Sequence, residues 1–460
     1  MARQAGPMPF AKPWGSADLV LNLLETIRAD GTTLDLSPRR YGKVSACDGT
    51  MIEVTGLSLP VGSLCTIGHG HARSHTAEVI GFRNGRTLMS LLGDAVLLRP
   101  GAFVHPFGRP GALPVGPSFL GRAVDGTGHP IDGRDAVAAR EWWPSGGERS
   151  GALERSSVEQ HFVTGIRAID ATCTMGVGQR MGIVAGSGVG KSVLIDMIAQ
   201  GAKADVVVLG LIGERAREVS DFVARHMRGE TARRTALVAV PADHAPNLRL
   251  RGAMLATSLA EYYRAQGLKV LLVLDSLTRV AHAAREIGLL LGENGSARGY
   301  PPSALATITK LVERAGNSAK SGGSITGIYS VLADGDDHND PVVDTARAIL
   351  DGHIVLSREI AQNGRYPAVD ISASLSRVME DVAGEQHRKA ARDLRGLVAR
   401  YEANRDLVLM GAYQQGRDAD IDRAMAMHKQ VENFLGQQRG ERADFDETVG
   451  QLIAMTGHGQ

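Results

Sequence analysis

Residues 185–192 read AGSGVGKS, a run in which three glycines lead into a lysine and a serine. Glycines allow successive backbone N–H groups to turn toward an anion, and a helix that begins at the end of such a loop adds its positive end. The Lys191 ammonium would reach phosphate oxygens, and the Ser192 hydroxyl would ligate a divalent cation. The sequence therefore predicts a phosphate-binding loop made of Gly186, Ser187, Gly188, Val189, Gly190, Lys191, Ser192 and Val193.

The first position of this loop departs from the usual G-x-x-x-x-G-K-[ST] pattern, because Ala185 stands where that pattern has glycine. Alanine is compatible with the turn if its φ is negative, and the three glycines that follow remain for the strained positions. We therefore expect the loop to keep every group that phosphate and Mg²⁺ require.

Two carboxylates follow apolar runs of strand length. KVLLVLD (269–275) ends in Asp275, the arrangement in which an aspartate supports the magnesium ion of a nucleoside triphosphate. GLIGERAREV (210–219) places Glu214 after a second run, where a carboxylate can polarise an attacking water. Arg215 beside it can neutralise charge on the γ-phosphoryl group, although spacing alone fits a surface ion pair equally well. We predict ATP and Mg²⁺ as cofactors, with Ser192 and Asp275 at the metal.

An α/β fold would position these residues. Near-continuous apolar runs alternate with helical stretches, a pattern typical of a mostly parallel sheet that is covered on both faces. Ligands of such sheets bind at the carboxyl ends of the strands, where the loop and both carboxylates would meet. The predicted strands are MGIVA (181–185), DVVVLGLIG (205–213), TALVAV (235–240), KVLLVLD (269–275) and SITGIYSVLA (324–333).

The sequence pattern differs on either side of this domain. We expect an amphipathic helical segment in 1–30, a small β-barrel in 31–105 with turn signals every eight to twelve residues, and a Gly- and Pro-rich connector in 106–150. The predicted phosphate-loop domain then spans 151–379, and 380–460 is helical. The N-terminal helix would pack on its own domain or dock a partner.

Composition narrows the class of protein. The 460 residues carry 51 basic and 50 acidic side chains, a net charge of +1, which argues mildly against nucleic-acid binding. Three scattered cysteines fit a reducing compartment and form neither a disulfide framework nor a zinc site. The first residues lack the apolar core of a signal peptide, and the apolar runs are far shorter than a membrane span. We therefore expect a cytoplasmic protein whose membrane contact, if any, is peripheral.

Several long motifs occur together and in order, and with them the chain resembles the rotary-ATPase superfamily from about 35 to 455. Within that superfamily it is most similar to the ATPases of type III secretion systems. Ala185 also fits the secretion ATPases better than the catalytic subunit of ATP synthase. The motifs are TGIRAID (164–170), GQRMGIVAGSGVGKS (178–192), GERAREV (213–219), DSLTR (275–279), GYPPS (299–303) and DGHIVLSREIA (351–361).

The resemblance implies roles for individual residues. Glu214 takes the place of the family's catalytic glutamate, and Tyr366 in YPAVD that of its adenine-stacking tyrosine. Arg377 in SASLSRVM takes the place of the arginine finger, which in the superfamily reaches the site of the neighbouring subunit. Because one chain carries both Glu214 and Arg377, head-to-tail contacts could complete every site, and the resemblance implies a ring of six subunits.

The resemblance also implies a machine and its partners. NRDLVLMGAYQQGRDADID (404–422) contains the G-A-Y pattern of the flagellar system, whereas virulence relatives more often have G-E-Y. The expected partners are a stator-like regulatory protein, export chaperones and their substrates, and membrane export-gate proteins, at the inner-membrane export apparatus. The C-terminal helical region would contact substrate or chaperone, or simply pack on the ATPase domain.

Three alternatives stay open at this point. The first is the ATPase of a virulence secretion system. The second is an RNA-tracking motor of the Rho type, which needs a basic groove with aromatic side chains on which bases stack. The only aromatic residues in 31–100 are Tyr41 and Phe82. The third is a non-catalytic regulatory subunit of a rotary ATPase, a class that usually lacks the glutamate found here as Glu214.

Overall fold

The computed structural model of the chain describes most of the sequence from residue 41 onward. The predicted N-terminal helical segment (1–30) lies outside the described residues. The described ranges are 41–68, 74–148, 151, 154–227, 229–295, 297–332 and 340–457.

A closed barrel of six antiparallel strands opens the described chain, in the spatial order β1-β2-β5-β4-β3-β6. Side chains alternate between the barrel core and the outside, as they do along β2 and β3, because successive residues of a strand point to opposite faces. The core is filled by apolar side chains such as Ile52, Ile67 and Met89. The strands are β1 Gly42–Asp48, β2 Met51–Thr55, β3 Leu64–Gly68, β4 His75–Arg83, β5 Arg86–Leu91 and β6 Phe103–Phe107.

The range 106–150, expected as a connector, contains three short strands in its described residues, 106–148. β7 (Ala112–Val115) pairs with β9 (Glu141–Pro144) in a two-stranded sheet. β8 (Arg122–Val124) pairs in parallel with a strand of the central sheet. A three-residue strand is too short for periodicity to reveal it, so the sequence pattern does not predict this addition to the sheet.

The central sheet has the predicted α/β architecture. Its strands follow the order β19-β18-β12-β17-β15-β13-β14-β8, with β16 paired to β17. β18 and β19 pair antiparallel, β16 pairs antiparallel with β17, and the other pairs are parallel. The strands after β9 are β10 His161–Phe162, β11 Met175–Gly176, β12 Arg180–Ala185, β13 Val206–Ile212, β14 Thr235–Val240, β15 Lys269–Asp275, β16 Gly316–Asn317, β17 Ser324–Leu332, β18 Gly352–Leu356 and β19 Val369–Ser376.

Two apolar cores lie on the two faces of this sheet. Alternate residues of one strand enter different cores, as Val206 and Val208 do on one face and Val207 and Leu209 on the other. Helices cover both faces, which is why the parallel strands read as continuous apolar runs. The helices are α1 Arg167–Thr172, α2 Lys191–Gly201, α3 Ala216–His226, α4 Gly229–Arg233, α5 Pro246–Ala265, α6 Leu277–Leu290, α7 Pro302–Val312, α8 Pro341–Ile349, α9 Arg358–Gln362 and α10 Met379–Val382.

Three helices end the part of the chain that the structure describes, as the sequence predicts. They are α11 Glu385–Leu409, α12 Ala419–Leu435 and α13 Phe445–Thr456. Their apolar faces join the core on the α2 side of the sheet. None of the helices in the described part of the chain is long and apolar enough to cross a bilayer.

Candidate active site

The predicted phosphate loop connects β12 to α2. Ala185 is the last residue of β12, is buried, and is not among the described residues with positive φ, so glycine is not required there. Gly188 and Gly190 have φ values of 79° and 94°, which favour glycine. α2 begins at Lys191, and its N-terminal N–H groups therefore open toward the loop.

A cavity of about 640 Å³ lies over this loop, at the carboxyl end of the sheet. The cavity is lined by Glu214, Arg215, Asp275 and the predicted loop residues 186–193 other than Val189. Val189 is buried behind the loop. These residues meet at one edge because β12, β13 and β15 run parallel in the sheet. The loops that follow parallel strands all emerge on the same side of the sheet.

Lys191 lies between the two predicted carboxylates. Its Nζ donates a hydrogen bond to Glu214 Oε1 at 3.0 Å and a shorter one to Asp275 Oδ1. Ser330 Oγ, on β17, also donates to Asp275 Oδ1, at 2.5 Å. Lys191 and Asp275 are only 9% and 3% exposed, so these charges neutralise one another in a setting of low dielectric.

Burial and charge shift the pKa values of this cluster. Burial, followed by the negative charge of Asp275, raises the pKa of Glu214 to about 6, against the opposing effect of Lys191. Burial alone would lower the pKa of Lys191, but Asp275 and Glu214 outweigh it and raise that pKa. Lys191 is therefore charged at neutral pH, and Glu214 titrates close to the range in which a general base is effective.

Two polar residues of this site have no role in the sequence prediction. Ser330 is buried inside an apolar strand, and no spacing rule distinguishes it. Arg279, on α6, lines the cavity, and no described atom accepts a hydrogen bond from its Nε. Gly213 makes room for it, because a Cβ at that glycine would lie 2.7 Å from Arg279 Cβ. The DSLTR motif contained the signal, since Arg279 follows Asp275 by four residues and lies in the first turn of α6.

Tyr366 lies beside the phosphate loop, at the rim of a second cavity of about 910 Å³. A Cβ added to Gly190 would be 3.4 Å from its ring, and the ring is half exposed. Gln437 N donates to Tyr366 O at 2.8 Å, so the segment after α12 supports the tyrosine. Val193 lines both cavities, which makes this the side on which a base could stack while phosphates occupy the loop.

Arg377 lies elsewhere. It follows β19, which runs antiparallel to β18, so Ser376 pairs with Gly352 at the amino end of the sheet. Val369, at the other end of β19, pairs with Leu356 near the phosphate loop, about 24 Å away along the strand. Arg377 is exposed and its Nη2 donates to Arg347 O at 3.2 Å. The structure therefore separates Arg377 from the cavity of its own chain.

The predicted metal ligands fit a magnesium ion. The Ser192 hydroxyl and the Asp275 carboxylate line the same cavity, and both are the hard oxygen donors that Mg²⁺ prefers. Ser192 belongs to the first turn of α2 and Asp275 ends β15, so rigid elements hold both. ATP and Mg²⁺ are therefore compatible with the residues present.

Comparison with protein families agrees with this geometry. Residues 165–376 match the ATP synthase alpha/beta family, nucleotide-binding domain. Residues 383–454 match the T3SS EscN ATPase C-terminal domain. The two matches together cover the cavity, the central sheet apart from β8, and most of the C-terminal helical region.

Individual relatives match over nearly their whole length. The flagellum-specific ATP synthase of Salmonella typhimurium is 46% identical over 90% of this chain and 93% of its own. The type 3 secretion system ATPase of Xanthomonas euvesicatoria is 42% identical over 94% and 98%. The assembled ATPase EscN of enteropathogenic E. coli, solved with its central stalk EscO, superposes with a TM-score of 0.82 at 38% identity, over 90% of this chain and 100% of that one.

Proposed function

The chain belongs to the type III secretion ATPases of the ATP synthase alpha/beta family, and we propose that it hydrolyses ATP to energise flagellar protein export. One observation carries this proposal: Lys191 joins Glu214 and Asp275 at the mouth of the phosphate loop. Regulatory subunits that only bind nucleotide do not need a carboxylate of raised pKa at this place.

In the proposed reaction the loop amides and Lys191 hold the β- and γ-phosphates, and Lys191 exchanges carboxylate oxygens for phosphate oxygens. Glu214 orients a water toward the γ-phosphorus and accepts its proton. Arg215, at the N-terminus of α3, supplies positive charge to the γ-phosphoryl group. Ser192 and Asp275 would hold Mg²⁺, which would supply positive charge to the phosphate oxygens. Tyr366 stacks on the adenine.

The position of Arg377 extends the proposal from one chain to a ring. Since it cannot reach its own cavity, we propose that it enters the cavity of a neighbouring copy and stabilises transition-state charge there. A contact that uses different surfaces of two identical chains repeats head to tail and gives a ring where the rotation between neighbours closes. Six copies are proposed from the family resemblance, and the assembled state of the EscN relative supports self-association.

The partners and the location are also proposed from the family resemblance. A stator-like regulator, export chaperones with substrates, and membrane gate proteins would meet a cytoplasmic ring at the inner membrane. The stalk bound to the EscN relative supports a regulatory partner. The flagellum-specific relative and the type 3 secretion system relative have similar identities to this chain, which keeps the virulence system as the second candidate.

Purified chain tests the reaction directly. We expect phosphate release from Mg·ATP whose specific rate rises with protein concentration, because sites are completed by assembly. Lys191→Ala should remove this activity. Absence of hydrolysis at every concentration would favour the regulatory-subunit alternative, and hydrolysis that requires RNA would favour the Rho-type motor. Complementation of export in flagellar and in secretion deletion strains distinguishes the two machines.

A further inference from the structure

A buried carboxylate lies behind the phosphate loop, apart from the groups to which the proposed reaction assigns a role. Asp196 stands in α2, five positions after Lys191, and is 2% exposed. A buried charge that lacks partners costs several kcal/mol, so its contacts account for its presence.

Asp196 is bonded on both oxygens. Oδ1 accepts a hydrogen bond from Gln200 Nε2 at 2.8 Å and forms a shorter one with His226 Nε2. Oδ2 lies 3.1 Å from Arg439 Nη2 and 3.4 Å from Arg225 Nε. Burial alone would raise the pKa of this carboxyl, but the contacts with His226 and Arg439 lower it to about 2. Asp196 is therefore ionised at neutral pH.

One partner belongs to the helix that follows the proposed catalytic glutamate. α3 begins immediately after Glu214 and Arg215 and ends at His226. His226 is 1% exposed and stacks on Phe222 at 4.1 Å, and Phe222 lines the phosphate cavity. The contact between Asp196 and His226 thus joins the end of α3 to the helix that begins with Lys191. A helix moves as a rigid unit, so this contact fixes where its first turn lies.

A second partner belongs to the base side of the site. Arg439 follows α12, in the segment that lines the 910 Å³ cavity with Tyr366. Two residues earlier, Gln437 N donates to Tyr366 O. The Arg439 side chain is 56% exposed, so the contact with Asp196 is its anchor on the ATPase domain.

We propose that Asp196 is a positioning residue that acts in two separable directions. Through His226, with Arg225 of the same helix 3.4 Å away, it holds α3, and with it Glu214, at the correct distance from Lys191. Through Arg439 it holds the segment that supports the adenine side of the site. The inference rests on the proposed ATPase function. The His226 contact governs turnover, whereas the Arg439 contact governs nucleotide affinity.

Four variants of the full chain test the two contacts separately. His226→Leu keeps much of the volume and removes the donor, and we expect kcat to fall about 10–100-fold with unchanged affinity for a non-hydrolysable ATP analogue. His226→Gln restores a donor at the position of Nε2 and should recover most of this loss. Arg439→Ala should weaken analogue binding about five-fold with unchanged kcat. Asp196→Asn should combine both losses.

The controls separate positioning from stability and from the wider proposal. Arg233→Ala removes a surface arginine that is 81% exposed and should leave every parameter unchanged. Variants that lower the melting temperature while kcat and analogue affinity stay at wild-type values would overturn the inference. A His226→Gln protein that turns over no faster than the His226→Leu protein would overturn it as well. If the variants at the buried positions fail to fold, Arg439→Ala still tests the inference. Unchanged analogue binding by that variant would contradict the proposed role of the Arg439 contact. A wild-type chain without ATPase activity would instead refute the proposed function.

Discussion

The two edges of the central sheet hold charged side chains in opposite ways. At the carboxyl edge, Lys191, Glu214 and Asp275 converge on an open cavity of about 640 Å³. At the amino edge, Arg180 is held by Asp351 at 3.1 Å and by Glu313 at 2.5 Å, so its charge is neutralised within the chain. The ion pairs of the first edge line a cavity that a ligand can enter, whereas those of the second tie strands and helices together.

Arg377 is the exception at the amino edge. Among the described residues it forms no ion pair, although several carboxylates lie on the same edge. An arginine whose charge is not neutralised within its chain suits a contact with another molecule. The proposed catalytic site is therefore divided between the carboxyl edge of one subunit and the amino edge of the next.

Removal of Arg377 should have the largest effect. Arg377→Ala is expected to lower kcat about 10³–10⁵-fold, the usual contribution of an arginine finger, while ATP binding is unchanged. Phosphate release and equilibrium binding of a labelled nucleotide measure the two quantities. Arg392→Ala, on the exposed face of α11, is the matched control. If Arg377→Ala weakened nucleotide affinity and left kcat normal, Arg377 would have no role in catalysis.

Glu214→Gln should lower kcat about 10²–10⁴-fold, because the amide cannot accept the proton of water. The wild-type pH profile gives a second test of the same group. Since the pKa of Glu214 is raised to about 6 and the ionised form is the base, kcat/KM should fall as the pH drops through about 6 and level off above it. A kcat/KM that stays flat from about one pH unit below this pKa to two above it would exclude Glu214 as the base.

Tyr366 should affect affinity more than turnover. Tyr366→Ala is expected to weaken nucleotide binding by about 1–3 kcal/mol, roughly 5- to 150-fold, because stacking on the base is lost. Tyr366→Phe keeps the ring and should bind normally. Titration with a fluorescent nucleotide measures both variants, and equal affinities for Ala and Phe would remove the tyrosine from the base site.

At the amino edge, Arg180→Met should change stability and leave the site intact. The substitution takes the guanidinium away from the half-buried Asp351, which keeps the backbone N–H of position 180 as a donor, at an expected cost of about 1–3 kcal/mol in the free energy of unfolding. Thermal unfolding measures this loss. Nucleotide affinity should stay at the wild-type value. A loss of affinity together with the loss of stability would contradict the purely structural role of Arg180 at the amino edge.

The sequence predicts Lys191, Ser192 and Asp275 at the carboxyl edge because each of them belongs to a local pattern. Lys191 and Ser192 lie in one loop, and Asp275 ends an apolar strand, so chain order and the rules for parallel sheets bring them together. Ala185 needed only a negative φ, which the last position of a strand provides.

Other features depend on pairing across long sequence separations. Ser330 reaches Asp275 from a neighbouring strand, and β8 joins the sheet from a range with no visible strand pattern. Asp196 looks like one polar residue in an amphipathic helix until His226 and Arg439 approach it from 30 and 243 positions away. No single-sequence periodicity encodes such contacts.

The division of one site between two subunits is tested most directly by mixing two inactive variants. Lys191→Ala retains Arg377, and Arg377→Ala retains Lys191, so some interfaces of mixed rings contain a complete site. The account predicts that the mixture regains ATPase activity that neither variant has alone. A mixture of Lys191→Ala with Glu214→Gln should stay inactive, because both groups lie in the same cavity. If the first mixture also stays inactive although mixed rings form, Arg377 does not act across the interface.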